Sequence, residues 1–241
     1  MKNMFLSLRR KAGISGVIML TLALGIGCKK TPVEENTKPV AGLMSFNLAP
    51  DKSGVRISVS GDVINSQGLN YEQYSTIYQE VEPGHHIIES ASGGAMMASA
   101  GFHFEEDNFY SLFVLGNQGT YSNIIVRDKY ENLSDASGKT FLRYVNAIPD
   151  SSDLTVTIAA TGANISVPGI HYAHVSDFVS LNNGLDVVVR ISNGNDVETE
   201  GIFNFVNGRV YTVVFTGIPG TGDESKSVKI HSVMTGAFSG N

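Results

Sequence analysis

One short phrase occurs twice in this chain, and a longer pattern comes with it. FNLAPDKSGVRISVSG at 46–61 and YVNAIPDSSDLTVTIAATG at 144–162 each hold Asn-x-x-Pro-Asp, a few small polar residues, and then strict apolar/polar alternation. Asn47, Pro50 and Asp51 return as Asn146, Pro149 and Asp150. The agreement continues downstream, with Ser75 opposite Ser176, Gly84 opposite Gly184, Tyr110 opposite Tyr211 and Gly116 opposite Gly217. An internal duplication of units of about 100 residues commits the chain to folding the same unit twice.

The alternation says what that unit is. Val55, Ile57 and Val59 repeat with a period of two, as do Leu154, Val156 and Ile158, then Val187, Val189 and Ile191, then Tyr211, Val213 and Phe215. That period lines one face of a β-strand. Turn residues break the runs: EPGH at 82–85, NNG at 182–184, NGND at 193–196, VNGR at 206–209 and IPGTGDES at 218–225. YEQYSTIYQE at 71–80 comes nearest to a helical stripe, but its counterpart HYAHVSDFVS is β-branched and aromatic, so both read as strand. About seven short strands in about 100 residues predict an immunoglobulin-like sandwich. The expected fold is therefore all-β: two tandem immunoglobulin-like β-sandwich domains, at 43–135 and 140–241, with the joint at 131–140.

The N-terminus follows other rules. Lys2, Arg9, Arg10 and Lys11 precede an uncharged stretch from Ala12 to Gly27 that contains four glycines. Those 16 residues fall short of the roughly 20 that span a bilayer, and a secretory signal peptide over 1–27 fits better. Cys28, the only cysteine of the 241 residues, follows at once. A free thiol and half of an intermolecular disulfide are the plain readings. LGIGC also resembles the lipobox of bacterial lipoproteins, although Gly25 stands where the box has Leu and Leu24 sits one residue earlier. That resemblance implies that Cys28 is acylated and becomes the mature N-terminus. Residues 28–42 then form the lipidated Cys and a flexible tether, with two prolines, several charges and no periodicity. Fourteen flexible residues reach about 20 Å on average and at most about 50 Å when extended.

Charge narrows the partners. Removing 1–27 removes four basic residues and no acidic ones, which leaves 13 Lys and Arg against 23 Asp and Glu, a formal net charge of −10. Nucleic-acid phosphates need basic neutralisation, so no nucleic acid is expected. An anionic leaflet would repel the body, so the membrane is held through the lipid on Cys28.

The second half carries a wider pattern: RYVNAIPDSSDLTVTIAATG, then VSDFVSLNNG, then GRVYTVVFTG. It resembles domain of unknown function 4397, with its N-x-x-P-D opening at Asn146, Pro149 and Asp150, its S-x-F strand at Ser176 and Phe178, and its G-x-Y-T-V-V at Gly208, Tyr211, Thr212, Val213 and Val214. The first half resembles a diverged copy that keeps Asn47, Pro50 and Asp51. The resemblance covers most of 43–235. It implies a β-sandwich on a bacterial surface and no catalytic residues.

No chemical constellation competes with this reading. Pro50-Asp51 and Pro149-Asp150 suit turns, and no D-x-D-x-D-G cation loop exists. The histidines are His85, His86, His103, His171, His174 and His231. His171 and His174 would share a face only on a helix, and on a strand they point apart. With no H-E-x-x-H and no third ligand, no metal site is expected. His85-His86 follows EPG and reads as a turn entering a strand. G-x-S-x-G and a phosphate-cradling glycine loop are both missing from the mature sequence, so no cofactor is expected. Glu34-Glu35 and Glu105-Glu106 read as solvated, the second pair ahead of a hairpin turn. Tyr71, Tyr74, Tyr78, Phe109, Tyr110 and Phe113 crowd the first half and could stack on a glycan or protein if several lay exposed on one face.

The expected function is a non-catalytic cell-envelope lipoprotein, lipid-anchored at the outer membrane on its periplasmic or outer face. Its tandem domains would serve as a structural or binding module for a protein or glycan. The alternative is an envelope hydrolase with a site at the domain interface and His171 or His174 as base. Mass spectrometry of the native N-terminus is expected to find an acylated Cys28, and Cys28→Ala is expected to release the protein from the membrane fraction. An unmodified thiol there would sink the anchor.

Overall fold

Two stretches break the alternation. FYSLFVLG at 109–116 and RVYTVVFT at 209–216 are apolar at successive positions, the pattern of a strand buried on both faces. The structure, a computed structural model, describes residues 38–133, 138–149 and 151–238. It sets each of these stretches in the middle of a sheet. The signal segment, Cys28 and most of the tether lie outside the described residues.

The first half contains β1 (Ala41–Asn47), β2 (Arg56–Val59), β3 (Asp62–Val63), β4 (Gln79–Val81), β5 (Gly84–Ser92), β6 (Ala95–Phe104), β7 (Phe109–Asn117) and β8 (Thr120–Arg127). The second contains β9 (Thr140–Asn146), β10 (Leu154–Ala160), β11 (Ala163–Ile170), β12 (Val179–Leu181), β13 (Val187–Ser192), β14 (Glu198–Phe203), β15 (Arg209–Thr216) and β16 (Lys229–Ala237). Four sheets result, ordered β4-β1-β7-β8, β3-β2-β5-β6, β12-β9-β15-β16 and β11-β10-β13-β14. The second half repeats the strand order of the first. In each, the opening strand runs parallel to the seventh, β1 beside β7 and β9 beside β15, while the other neighbours are antiparallel. The all-β, two-sandwich architecture expected from the alternation is present. Among the described residues each half has eight strands in two sheets of four, one more than the seven expected.

Alternation along the middle strands sorts the core into three layers. Leu43, Ile57, Ile88, Tyr110, Leu112 and Val114 fill the first sandwich. Leu142, Val156, Val189, Val213 and Phe215 fill the second. The remaining faces of β1, β7, β9 and β15 turn toward each other: Met44, Phe46, Phe113 and Leu115 pack with Val145, Val214 and Val233. The four sheets therefore stack as layers of one compact unit from Lys38 onward. Each middle sheet is covered on both sides, which is what the doubly apolar stretches require.

The repeated phrase turns a corner in both halves. Asn47 is fully buried. Its amide donates to the Lys52 and Leu69 carbonyls, both at 3.0 Å, and its Oδ1 accepts the Ala49 N–H at 3.1 Å. Asn146 donates to the Ile170 carbonyl at 3.2 Å and accepts the Ile148 N–H at 3.1 Å. Ser75 Oγ accepts the Ser45 N–H, and Ser176 Oγ accepts the Tyr144 N–H. Tyr110 and Tyr211 each accept a backbone N–H five residues upstream, from Glu105 and Val206, at 3.0 Å. Gly116 and Gly217 sit at φ +133° and +113°, where a Cβ would stand 2.2 Å from the Thr120 carbonyl oxygen and 2.4 Å from that of Ser227. Only glycine closes those ends.

Two expectations change. Residues 71–80 and 171–180 are not continuous strands. Each is an irregular turn touching β1 or β9 through one bridge, Phe46 to Tyr74 and Val145 to Val175, before β4 or β12 begins. Glu72 and Ala173 hold φ of +65° and +64° there, a left-handed step that no strand tolerates. Glu105-Glu106 stands where the chain crosses from one sheet to the other, not ahead of a hairpin. Among the described residues, no helix is long and apolar enough to cross a membrane.

Asn47→Ala would leave the buried Ala49 N–H and the part-buried Lys52 carbonyl without this partner and take from the Leu69 carbonyl one of its two bonds. It should cost about 2–4 kcal/mol of unfolding free energy, from about 1 kcal/mol per lost bond plus the desolvation of unpaired groups. Urea unfolding with unchanged m-value measures it, and a loss below about 0.5 kcal/mol would show that the corner does not depend on Asn47.

Candidate functional site

The two halves meet on a largely apolar face that a few polar contacts interrupt. β9 reads TFLRYVN, with a charged residue inside an otherwise buried strand. Arg143 is 2% exposed and points into the joint. Its Nη1 donates to Asp128 at 2.6 Å, its Nη2 to Ser111 Oγ at 2.7 Å, and its Nε to Thr212 Oγ1 at 3.0 Å. Its guanidinium lies over the rings of Phe178, 4.8 Å away, and Phe113, 5.6 Å away. Asp128 is fully buried and also accepts from Tyr78 at 2.6 Å and Ser111 at 3.1 Å. A charge taken out of water must find a partner and several hydrogen bonds, and both ions do.

The Tyr78 hydroxyl, which donates to Asp128, lies against the Tyr130 hydroxyl, and Tyr130 donates to the Thr235 carbonyl at 3.0 Å. Burial, and then the Asp128 charge, push Tyr130 up to about 12 and Tyr78 higher still. Both therefore stay protonated donors at any physiological pH. Rings continue outward: Phe109 packs on Tyr78 at 4.9 Å and on Tyr130 at 5.9 Å, and Tyr130 on Phe178 at 5.9 Å. Here the joint opens into a cleft of about 370 Å³ lined by Tyr78, Phe109, Tyr130, Val210 and Phe238. A second opening of about 300 Å³ lies over Asp128 and Arg143, with Lys129, Ser176, Asp177 and Phe178 around it.

A second polar contact also crosses the joint. Glu72 accepts from Thr216 at 2.8 Å and pairs with Lys229 and His231, both at 3.2 Å. Burial alone would raise the Glu72 carboxyl, but the bonds from His231, Thr216 and Lys229 hold it down at about 2.

The residues singled out by sequence fare differently. Tyr110 and Phe113 are core, and Tyr74 stacks on buried Phe46 at 5.6 Å. Only Phe109 of the six aromatics is widely exposed, at 44%. No broad tyrosine platform forms. His171 and His174 do come together, with rings 5.2 Å apart, because their segment is a turn and not a strand. Burial and neighbouring His171 lower the His174 pKa, with Asp177 pulling the other way. Ser176 Oγ is committed to the Tyr144 N–H and the Asp177 carbonyl, and the Asp177 carboxylate faces Lys129 at 3.6 Å. Asp51 accepts from Gln118 N–H and Tyr121, while Asp150 lies outside the described residues, as does Cys28. Among the described residues, no three His, Cys, Asp or Glu side chains gather as metal ligands would.

Sequence reasoning missed Arg143, Asp128 and Tyr130. The available signal was a lone Arg within TFLRYVN and polar residues in the doubly apolar strands, Ser111 in one and Thr212 in the other.

Residues 41–157 match the family described as Domain of unknown function (DUF4397), a span that covers the first half and runs on into β10. No curated protein matches the chain. Among solved structures, a "putative cell adhesion protein" from Bacteroides ovatus ATCC 8483 is 9% identical, with 85% of this chain and 99% of that one covered at a TM-score of 0.22. A second protein so titled, from Bacteroides eggerthii DSM 20697, is also 9% identical, with 83% and 96% covered at a TM-score of 0.25. Likeness at those scores says nothing about what this chain binds.

Arg143→Leu should lower stability by about 3–5 kcal/mol, because Asp128 is then buried without its counter-charge. Arg143→Leu combined with Asp128→Leu should recover part of that loss. Thermal and urea unfolding measure both, and a double variant weaker than the single by the full cost of Asp128→Leu would refute the coupling.

Proposed function

We propose that this chain is a lipid-anchored protein of the bacterial cell envelope, held at the outer membrane through Cys28. Its two β-sandwiches act as one rigid, non-catalytic binding and adhesion module. The observation that carries this reading is the joint. A shared apolar core and a buried, fully bonded charge pair lock the halves together, and an aromatic-lined cleft opens at their seam. Ligand sites favour such concave, largely apolar seams between packed units. Phe109 supplies an exposed ring there whose back is held rigid by Tyr78 and Tyr130, the kind of pre-ordered aromatic contact that anchors protein and glycan ligands.

Several further points support the reading. The family match over 41–157 brings no catalytic role with it. Ser176, the hydroxyl nearest in sequence to His174 and Asp177, spends its oxygen on backbone groups. His174 packs on Tyr144 and His171. The acidic mature chain, with 13 basic and 23 acidic residues, is suited to a protein or glycan partner and not to nucleic acid.

The test is binding of the untagged full chain to arrayed envelope glycans and purified surface proteins, beside a broad hydrolase screen. Saturable binding that falls about tenfold in Phe109→Ala is expected, the loss typical of one anchoring ring. Turnover that disappears in His174→Ala would overturn the proposal, as would binding indifferent to Phe109.

A further inference from the structure

Two histidines in succession, His85 and His86, follow Gly84 at the start of β5, and a third, His103, stands just before Phe104 at the end of β6. Successive residues of a strand point to opposite faces. His86 turns inward, where its Nδ1 shares a hydrogen bond with Ser60 Oγ at 3.0 Å and its ring lies 6.1 Å from buried Phe104. His85 and His103 turn outward and stand directly opposite each other in the antiparallel register. Both are exposed. Among the described residues, neither ring takes a hydrogen bond or an ion pair. Their centroids are 4.4 Å apart and the ring planes meet at 55°.

That spacing has a chemical meaning. Two imidazoles bound through nitrogen about 2.1 Å from one ion, at about 90° to each other, have centroids about 4.6 Å apart; a tetrahedral angle would set them about 5.3 Å apart. The observed separation of 4.4 Å is nearer the right-angled value. We infer that His85 and His103 form a two-imidazole chelate for a divalent transition metal with tetragonal preference, Cu(II) first and Ni(II) next. Imidazole suits both ions, and Cu(II) stands at the top of the affinity order for such sites.

The surroundings leave room for the ion. The next pair along on the same face is Ile87 opposite Gly101, and Gly101 presents no side chain beside the rings. β6 ends its sheet, so the pair lies at an open margin with space for water or a partner's ligand in the remaining positions. The strands themselves are fixed by a long antiparallel ladder from Gly84 with Phe104 to Ser92 with Ala95. The rings are therefore held in register before any ion arrives, which makes the second bond nearly intramolecular.

The experiment is titration of the untagged full chain with copper(II) chloride, followed by electron paramagnetic resonance and competition with a chelator of known affinity. One copper per chain with two coordinated imidazole nitrogens is expected. His85→Ala and His103→Ala should each weaken binding at least about tenfold, because the chelate is lost. His103→Gln should keep the metal-free melting temperature and lose the affinity, which separates ligation from folding. His86→Ala and His171→Ala should bind as the wild type does. Wild-type affinity in either His85→Ala or His103→Ala would overturn the inference, and so would a single coordinated nitrogen or loss of binding in His171→Ala.

Discussion

The buried pair of Arg143 and Asp128 is the constraint around which the rest of the structure is arranged. Apolar faces attract each other without direction, and two sheets of Met, Phe, Leu and Val could slide or rotate against one another at small cost. The Arg143 guanidinium removes that freedom. Thr212, the neighbour of Arg143 on β15, holds the guanidinium in place within the second half. The guanidinium's two bonds across the joint, to Asp128 and Ser111, exist in one docking of the halves only; any other leaves a charge dry and unpaired. Both doubly buried middle sheets depend on that docking, since without it β1, β7, β9 and β15 would each expose an apolar face.

The two copies agree where each folds itself and differ where they touch. Asn47 and Asn146, Ser75 and Ser176, Tyr110 and Tyr211, and Gly116 and Gly217 make matching contacts in the two halves. At the joint the match is broken. Met44 opposes Ser111 across the β1–β7 pair, and Arg143 opposes Thr212 across the β9–β15 pair, so Arg143 stands where the first copy has Met44. Glu72, which bonds Thr216, Lys229 and His231, has Ala173 as its counterpart. Identical copies would place like beside like at such a seam, whereas these copies place an acid against bases and a cation against an anion.

The fold was largely legible in the sequence, because period-two alternation and repeated turn residues are local signals. Val55, Ile57 and Val59 and their counterparts at 154, 156 and 158 announced their buried face directly. Residues 71–80 misread because the β-branched and aromatic composition of their counterpart at 171–180 points to strand in both, while the left-handed step at Glu72 is set by contacts with β1 and β16 that are distant in sequence. The site was legible only in fragments. An Arg inside TFLRYVN signals a buried charge, but nothing local names its partner fifteen residues upstream or Ser111 in another sheet. His171 and His174 were placed apart by a strand rule and meet because the segment turns.

The parallel pairing of each opening strand with the seventh carries a mechanical consequence. β1 meets β7 over six residue pairs, from Gly42 with Phe109 to Asn47 with Val114. In a parallel pair, the leading end of one strand and the trailing end of the other lie at opposite ends of the ladder. Tension that enters at Ala41 and is resisted beyond Asn117 therefore slides the strands lengthwise. The bonds of that ladder must then yield together, instead of peeling one at a time as they would in a hairpin pulled from its open end. β9 and β15 repeat the arrangement in the next layer. A body built this way is stiffest along the direction in which a chain held at its front end would be stretched.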